Sequence, residues 1–187
     1  MRNMLIAATA TLALLTAAIS PDQDDAPGAG ITIMLVRHAE TAEDTRGGGD
    51  PDLSPAGAAR AGDLARLLQH SGATHAFTSE YARTRQTLAP LAAELELEAR
   101  EHPAREVESL AATLRELPPG SVVVAAGHSN TVPALARQLG CELPGLEEHP
   151  RYGSLLGHDQ YDRLFVLHLP AEGRSSVVEL RYGCQAK

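Results

Sequence analysis

Arg37 and His38 stand at the end of the apolar run "ITIMLV" (31–36), so a cation and an imidazole terminate a segment otherwise suited to a core. Arg83 lies four residues beyond Ser79 in "TSEYAR", and His128 follows directly on "SVVVAAG" (121–127). Arg105, Glu106 and Glu108 follow a weaker apolar stretch, and Asp159 lies further on. Two guanidiniums and an imidazole make a site for a phosphoryl dianion, because planar paired N–H donors match phosphate oxygens. A neutral imidazole can attack phosphorus, while a carboxylic acid nearby protonates the departing oxygen. Arg and His supply the positive charge, so the scheme calls for no metal and no cofactor. The two cysteines and the spacing of the histidines also argue against a structural zinc site.

These residues share one trait: each follows a candidate strand. Continuous apolar runs at 31–36 and 121–126 read as strands buried on both faces. "THAFTS" (74–79) reads as a short strand and Leu97–Arg100 as a weak one. Between them lie helical patterns. Ser54 and Pro55 are a good N-cap and first position for a helix with Ala58, Ala61, Leu64, Ala65 and Leu68 on one face. "YARTRQTLAPLAAEL" forms a second helix, kinked or divided at Pro90. Val107, Leu110, Ala111, Leu114 and Leu117 mark a third, and "NTVPALARQLG" a fourth, closed by Gly140. Residues 141–160 show no clear period, and "DRLFVLHL" and "SSVVELRY" finish the chain as paired strands. This alternation predicts an α/β fold, a three-layer α/β/α sandwich around a mostly parallel sheet. Such sheets bind ligands beyond the carboxyl ends of their strands, which is where the chemistry-bearing residues gather.

The chain has 187 residues, enough for one sizeable core, and with aromatics at 3% that core must be aliphatic. A formal net charge of -8 argues against nucleic acid or an anionic membrane as partner. The partner expected is a small phosphorylated substrate or a phosphoprotein. Arg2, the apolar run that follows it and small residues near Ser20 have the layout of a secretory signal. Residues 1–20 are therefore expected to be a signal peptide, 21–30 a linker and 31–187 the domain, with a periplasmic or secreted location and no stable membrane span after cleavage. Cys141 and Cys184 are equally compatible with one disulfide and with two thiols.

Three segments, in order, carry a family resemblance. "LVRHAET" resembles the R-H-[GA]-E signature of the histidine phosphatase superfamily, whose fold is phosphoglycerate-mutase-like. "TSEYARTRQTLAPLA" is similar to its S-x-x-x-R-[AT]-x-Q-T segment, and "VVVAAGHSNTVPAL" to its second-histidine G-H-S motif. The likeness covers roughly residues 31–140, with the short length of SixA-like members. It implies a phosphomonoesterase of the histidine acid phosphatase type. His38 would be the phosphorylated nucleophile, with Arg37, Arg83 and His128 holding the phosphoryl oxygens. Glu40 would brace the loop, Thr41 would serve a turn, and Arg85 would lie on the surface. The family's acid has no clean copy here. Glu106 is the first candidate, Glu108 the second and Asp159 an outside one. His158 sits where a substrate lid could lie.

Other readings compete. A mutase-type phosphotransferase would need longer segments, and an inactive phosphate-binding relative would not need both His and both Arg. A serine hydrolase could use "AAGHSNT" as a nucleophile elbow at Ser129, with Asp162 and His168 following. That elbow has Thr131 in place of its closing Gly and leaves the arginines unused.

Overall fold

The computed structural model describes residues 29–43 and 49–183. The expected signal peptide, almost all of the expected linker and Cys184 lie outside the described residues. The elements run β1 (Ile31–Arg37), α1 (Pro55–Leu68), β2 (His75–Thr78), α2 (Ala82–Glu94), β3 (Ala99–Glu101) and α3 (Val107–Arg115). Then come β4 (Val122–Gly127), α4 (Thr131–Gln138), β5 (Glu147–His149), β6 (Gly153–Leu155), β7 (Arg163–Leu169) and β8 (Ser176–Arg181). Six strands form one sheet in the order β3-β2-β4-β1-β7-β8. The first four are parallel, and β7 and β8 add antiparallel to the β1 side.

Period-two geometry explains the unbroken apolar runs. Ile31, Ile33 and Leu35 enter one core with Leu114, Leu135 and Phe165, while Met34 and Val36 enter another with Leu64, Leu88 and Leu91. Helices α3 and α4 close the first face, and α1 and α2 the second. Each fully buried Leu or Ile contributes about 1.5–3 kcal/mol, so both faces must be covered for the central strands to hold. The expected three-layer α/β/α fold is present. Among the described residues no helix is long and apolar enough to cross a membrane.

The structure corrects several local expectations. The buried face of α1 is Gly57, Arg60, Ala61, Leu64 and Leu68, and Ala58 is exposed. A Cβ on Gly57 would overlap the carbonyl of Glu40, so glycine is what lets α1 approach the loop after β1. Helix α2 runs unbroken through Pro90, which is exposed, while Leu88 and Leu91 are fully buried. Packing of those leucines outweighs the backbone hydrogen bond that proline removes. The third strand is Ala99–Glu101 rather than 97–100. Residues 141–160 contain the hairpin β5–β6, too short and exposed to show a period. Gly140 does close α4, at φ 84°.

Cys141 is buried beside β8, its thiol donating to the Ser176 carbonyl at 3.4 Å. The described chain leaves β8 at the other end, where Gly183 approaches Arg60 and Asp63.

Candidate active site

Parallel pairing places Arg37 opposite Gly127, and the His38 N–H donates to the Gly127 carbonyl at 2.8 Å. The ends of β1 and β4 are thus tied together just where each delivers a histidine. A side chain at Gly127 would press on Thr131 Oγ1 and Val132, so the turn into α4 is closed tightly. The Thr131 hydroxyl accepts the His128 N–H at 2.8 Å, holding that residue at the helix entrance. His38 and His128 then meet edge-to-face, ring centroids 5.4 Å apart, both buried.

The segment after β2 aligns the rest. Asp50 accepts the Ala82 N–H at 2.9 Å and receives Arg83 Nη1 at 3.3 Å, so one carboxylate caps α2 and steers the guanidinium. Arg83 also stacks on Tyr81, its guanidinium carbon 4.3 Å from the ring centroid. Thr87 Oγ1 accepts the Ala39 N–H at 2.9 Å while donating to the Arg83 carbonyl at 2.7 Å, so α2 grips the residue after His38. Gln86 accepts the Leu53 N–H at 2.8 Å and fixes the loop before α1. This accounts physically for Arg, Gln and Thr at 83, 86 and 87.

Protonation follows from hydrogen-bond accounting. The His38 Nδ1–H donates to the Ala39 carbonyl at 2.8 Å, so the lone pair sits on Nε2. Burial, above all, pushes the His38 pKa down to about 3, with His128, Arg37 and Arg83 adding to the depression. Burial, then the charges of Arg83 and Arg37, lower His128 to about 4. Both rings are therefore neutral at pH 7. Thr84 Oγ1 donates to the Tyr81 carbonyl at 2.8 Å, which leaves the Ser79 hydroxyl to donate to Thr84 at 2.9 Å. Ser79 Oγ must then accept from His128 Nε2–H at 2.9 Å, assigning the opposite tautomer to His128.

Arg37 is anchored from the other side. Its Nη1 donates to the Gly157 and His158 carbonyls at 2.8 and 3.1 Å, and Nη2 to the Tyr161 hydroxyl at 3.2 Å. Its Nε is buried with no hydrogen-bond partner among the described residues. Burial lowers the Arg37 pKa, with Tyr161, Glu40 and Asp159 pulling the other way. An unpaired buried N–H on a cation next to the His38 backbone is a donor suited to an anion.

A cleft of about 660 Å³ opens over this cluster, lined by His38, Tyr81, Arg83, Arg105, His128 and Tyr152 among others. Of the sequence-predicted residues, His38, Arg83 and His128 line the cleft, while Arg37 does not line it and acts on both histidines through its charge. Glu106 and Glu108 line a neighbouring groove that shares Arg105, Val107 and Ala134 with the cleft. Glu106 is the N-cap residue of α3 without a capping side-chain bond. Asp159 is exposed near Arg37, and no carboxylate lines the cleft among the described residues. Glu40 makes a bidentate pair with Arg60, shortest at 2.7 Å, and so braces the loop as expected. Thr41 is not in a turn: it forms an isolated antiparallel bridge with Leu53, tying the loop after β1 to the segment before α1. Arg85 is exposed and reaches Glu80 and Glu101.

The serine-hydrolase constellation does not assemble. His168 pairs with Thr32, five residues down the sheet from Arg37, so roughly 16 Å of strand separates it from the Ser129 end. Asp162 is committed to Arg181 at 2.8 Å. The roles of Ser79, Thr84, Asp50, Arg60 and Tyr161 emerge only from the structure. Ser79 and Thr84 lie in a recognisable segment, whereas Arg60 and Tyr161 act through partners 20 and 124 positions away.

The sequence model of the histidine phosphatase superfamily (branch 1) matches residues 33–107. No curated protein matches the chain. Among solved structures, it is similar to the protein histidine phosphatase SixA in complex with tungstate, with TM-score 0.61 and 20% identity, over 80% of this chain and 96% of that one. It is also similar to a phosphohistidine phosphatase SixA from Nakamurella multipartitia, with TM-score 0.59 and 23% identity over 83% and 98% of the two chains. A mycobacterial glucosyl-3-phosphoglycerate phosphatase gives TM-score 0.52 and 16% identity over 74% and 90%. At these identities the likeness is one of fold.

Proposed function

We propose, from the match of the histidine phosphatase superfamily model to residues 33–107 and the geometry of the site, that the chain is a member of that superfamily, a phosphatase that hydrolyses phosphomonoesters through a phosphohistidine on His38. The observation that carries this reading is the His38 Nδ1–H bond to the Ala39 carbonyl, which leaves Nε2 unprotonated beside Arg37, Arg83 and His128. In the first step Nε2 attacks phosphorus and the ester oxygen departs. The two guanidiniums offset the phosphoryl charge, and a phosphomonoester that enters as the monoanion gives its proton to His128 Nδ1, which then donates back to an equatorial oxygen. Water then attacks the phosphohistidine and releases phosphate. Because His38 stays neutral well below pH 6, the nucleophile survives in acid, in keeping with an acid phosphatase type.

Glu106 is our candidate for the proton donor to basic leaving groups, reached from the groove beside Arg105. A second reading concerns the substrate. The carboxylate-free lining of the described cleft favours leaving groups that need no proton from the protein, and a phosphohistidine already protonated on its other ring nitrogen is one, because it departs as neutral imidazole. That is the substrate class named for the SixA neighbours. We also propose export, on the strength of Arg2 and the apolar run ending near Ser20. The mass of the protein recovered from the exported fraction tests this, since an intact N-terminus there excludes cleavage.

Rapid quenching of the wild type during turnover should trap an acid-labile, alkali-stable phosphoryl group, and His38→Ala should trap none and turn over no substrate. Steady turnover by His38→Ala would overturn the mechanism.

A further inference from the structure

Strand β8 closes one end of the sheet, and its outer side pairs with no other described strand. Its sequence, "SVVELR", lacks the proline, the lysine and the bulge glycine that commonly protect an edge. Four large hydrophobic residues are exposed among the described residues: Leu67, Tyr152, Val178 and Leu180. Tyr152 belongs to the cleft. The other three share a surface. Val178 and Leu180 pair with Val166 and Leu164 of β7, placing them on the sheet face that α1 covers. Arg60 and Asp63 of α1 reach Tyr182 and Gly183 just past β8, and Leu67 lies one turn further along that side of the helix. The result is an apolar strip beside an open strand edge.

We propose that this edge joins a second copy of the chain, β8 against β8 in antiparallel register, about a two-fold axis at Leu180. Directly opposed residues in such a pair share a face, so the axis must pass through a residue position. An axis at Glu179 sets that carboxylate against itself. An axis at Val178 sets Glu179 against Val177 and leaves Arg181 against Ser175. An axis at Leu180 sets Glu179 against Arg181 of the second copy, twice by symmetry, and Val178 against Tyr182. Within one chain Arg163, Glu179, Arg181 and Asp162 already alternate in sign, at 2.8, 3.1 and 2.8 Å. The Leu180 register continues that alternation across the axis on one face, while Val178, Leu180 and Leu67 of both copies close over one another on the other.

Sedimentation of the purified chain over a concentration series should show a dimer. Leu180→Cys should give a symmetric disulfide-linked dimer under mild oxidation, because the axis places the two Cβ atoms about 4.5–5.5 Å apart. Val178→Cys, whose mate is Tyr182, should not cross-link to itself. Arg181→Glu opposes like charges across the axis twice and should weaken the dimer about tenfold or more, leaving turnover of a phosphomonoester unchanged. A chain that sediments as a monomer at every soluble concentration would overturn the proposal. So would a dimer that cross-links more readily in the Val178→Cys variant than in the Leu180→Cys variant.

Discussion

His38 and His128 face each other edge-on at 5.4 Å between centroids, and the hydrogen bonds behind them place their protons on opposite nitrogens. His38 carries its proton at Nδ1 because Ala39 supplies only a carbonyl. His128 carries its proton at Nε2 because the single hydroxyl proton of Ser79 is committed to Thr84. Long-range ¹H–¹⁵N spectra of the ligand-free protein at pH 7 should show one Nδ1–H and one Nε2–H ring with these assignments. Ser79→Ala removes the acceptor and should lower kcat by about fivefold, the worth of one net hydrogen bond near 1 kcal/mol. It should also redistribute the His128 tautomers. An unchanged His128 spectrum in that variant would show that Ser79 does not set the proton.

The same two rings make stability depend on pH. Their folded-state pKa values, about 3 and about 4, lie below the ordinary 6.5. The unfolded chain therefore binds protons that the folded one refuses as pH falls. Their contribution is complete above about pH 6.5 and is lost progressively toward pH 4 and below. Urea unfolding should show stability declining between pH 7 and pH 5, where most carboxylates are still ionised. A His38→Asn, His128→Asn double variant should be flatter across that window. Identical slopes in variant and wild type would assign the effect to other groups.

Glu40 and Arg60 hold the loop that follows the nucleophile. Burial by itself would raise the Glu40 pKa, yet hydrogen bonds from Arg60 keep it below the usual carboxylate range, and the bonds to Glu40 raise Arg60 in turn. The Arg60 side chain is 6% exposed and that of Glu40 17%, so removing one partner strands the other. Arg60→Ala should cost about 3–5 kcal/mol in urea unfolding, the range for breaking a buried pair. A loss below about 1 kcal/mol would place the pair with ordinary surface bridges.

Why the site was legible and its supports were not follows from distance along the chain. Strands buried on both faces must be apolar throughout, so Arg37, His38 and His128 stand out where the apolar runs of β1 and β4 stop. Arg83 is marked by its place after β2. Arg60 looks like any exposed helical arginine, because its partner Glu40 belongs to a loop packed there by tertiary structure. Tyr161 directly follows a segment, residues 141–160, whose hairpin strands β5 and β6 are three residues each, too short for a period to emerge. Ala58 and Pro90 misled for the same reason: local propensity was outweighed by which side of the helix meets the sheet.

The proton donor is decided by the leaving group. An alkoxide leaving an alkyl phosphate is strongly basic and needs a proton in the transition state, whereas nitrophenolate is a weak base and departs without one. Glu106 sits at the start of α3, in the groove that meets the cleft at Arg105 and Val107. If its carboxyl reaches the departing oxygen, Glu106→Gln should slow alkyl phosphates by roughly 10²–10⁴-fold, the usual range for acid catalysis. Nitrophenyl phosphate should be slowed far less in its first step. Glu108→Gln, two positions further along the chain and inside the helix, and Asp159→Asn, on the Arg37 side, serve as comparisons. Equal slowing of both substrates by Glu106→Gln would assign that residue to structure rather than proton transfer. If none of the three variants separates the two substrates, the enzyme uses no carboxyl donor, and phosphohistidine should then be turned over faster than any alkyl ester.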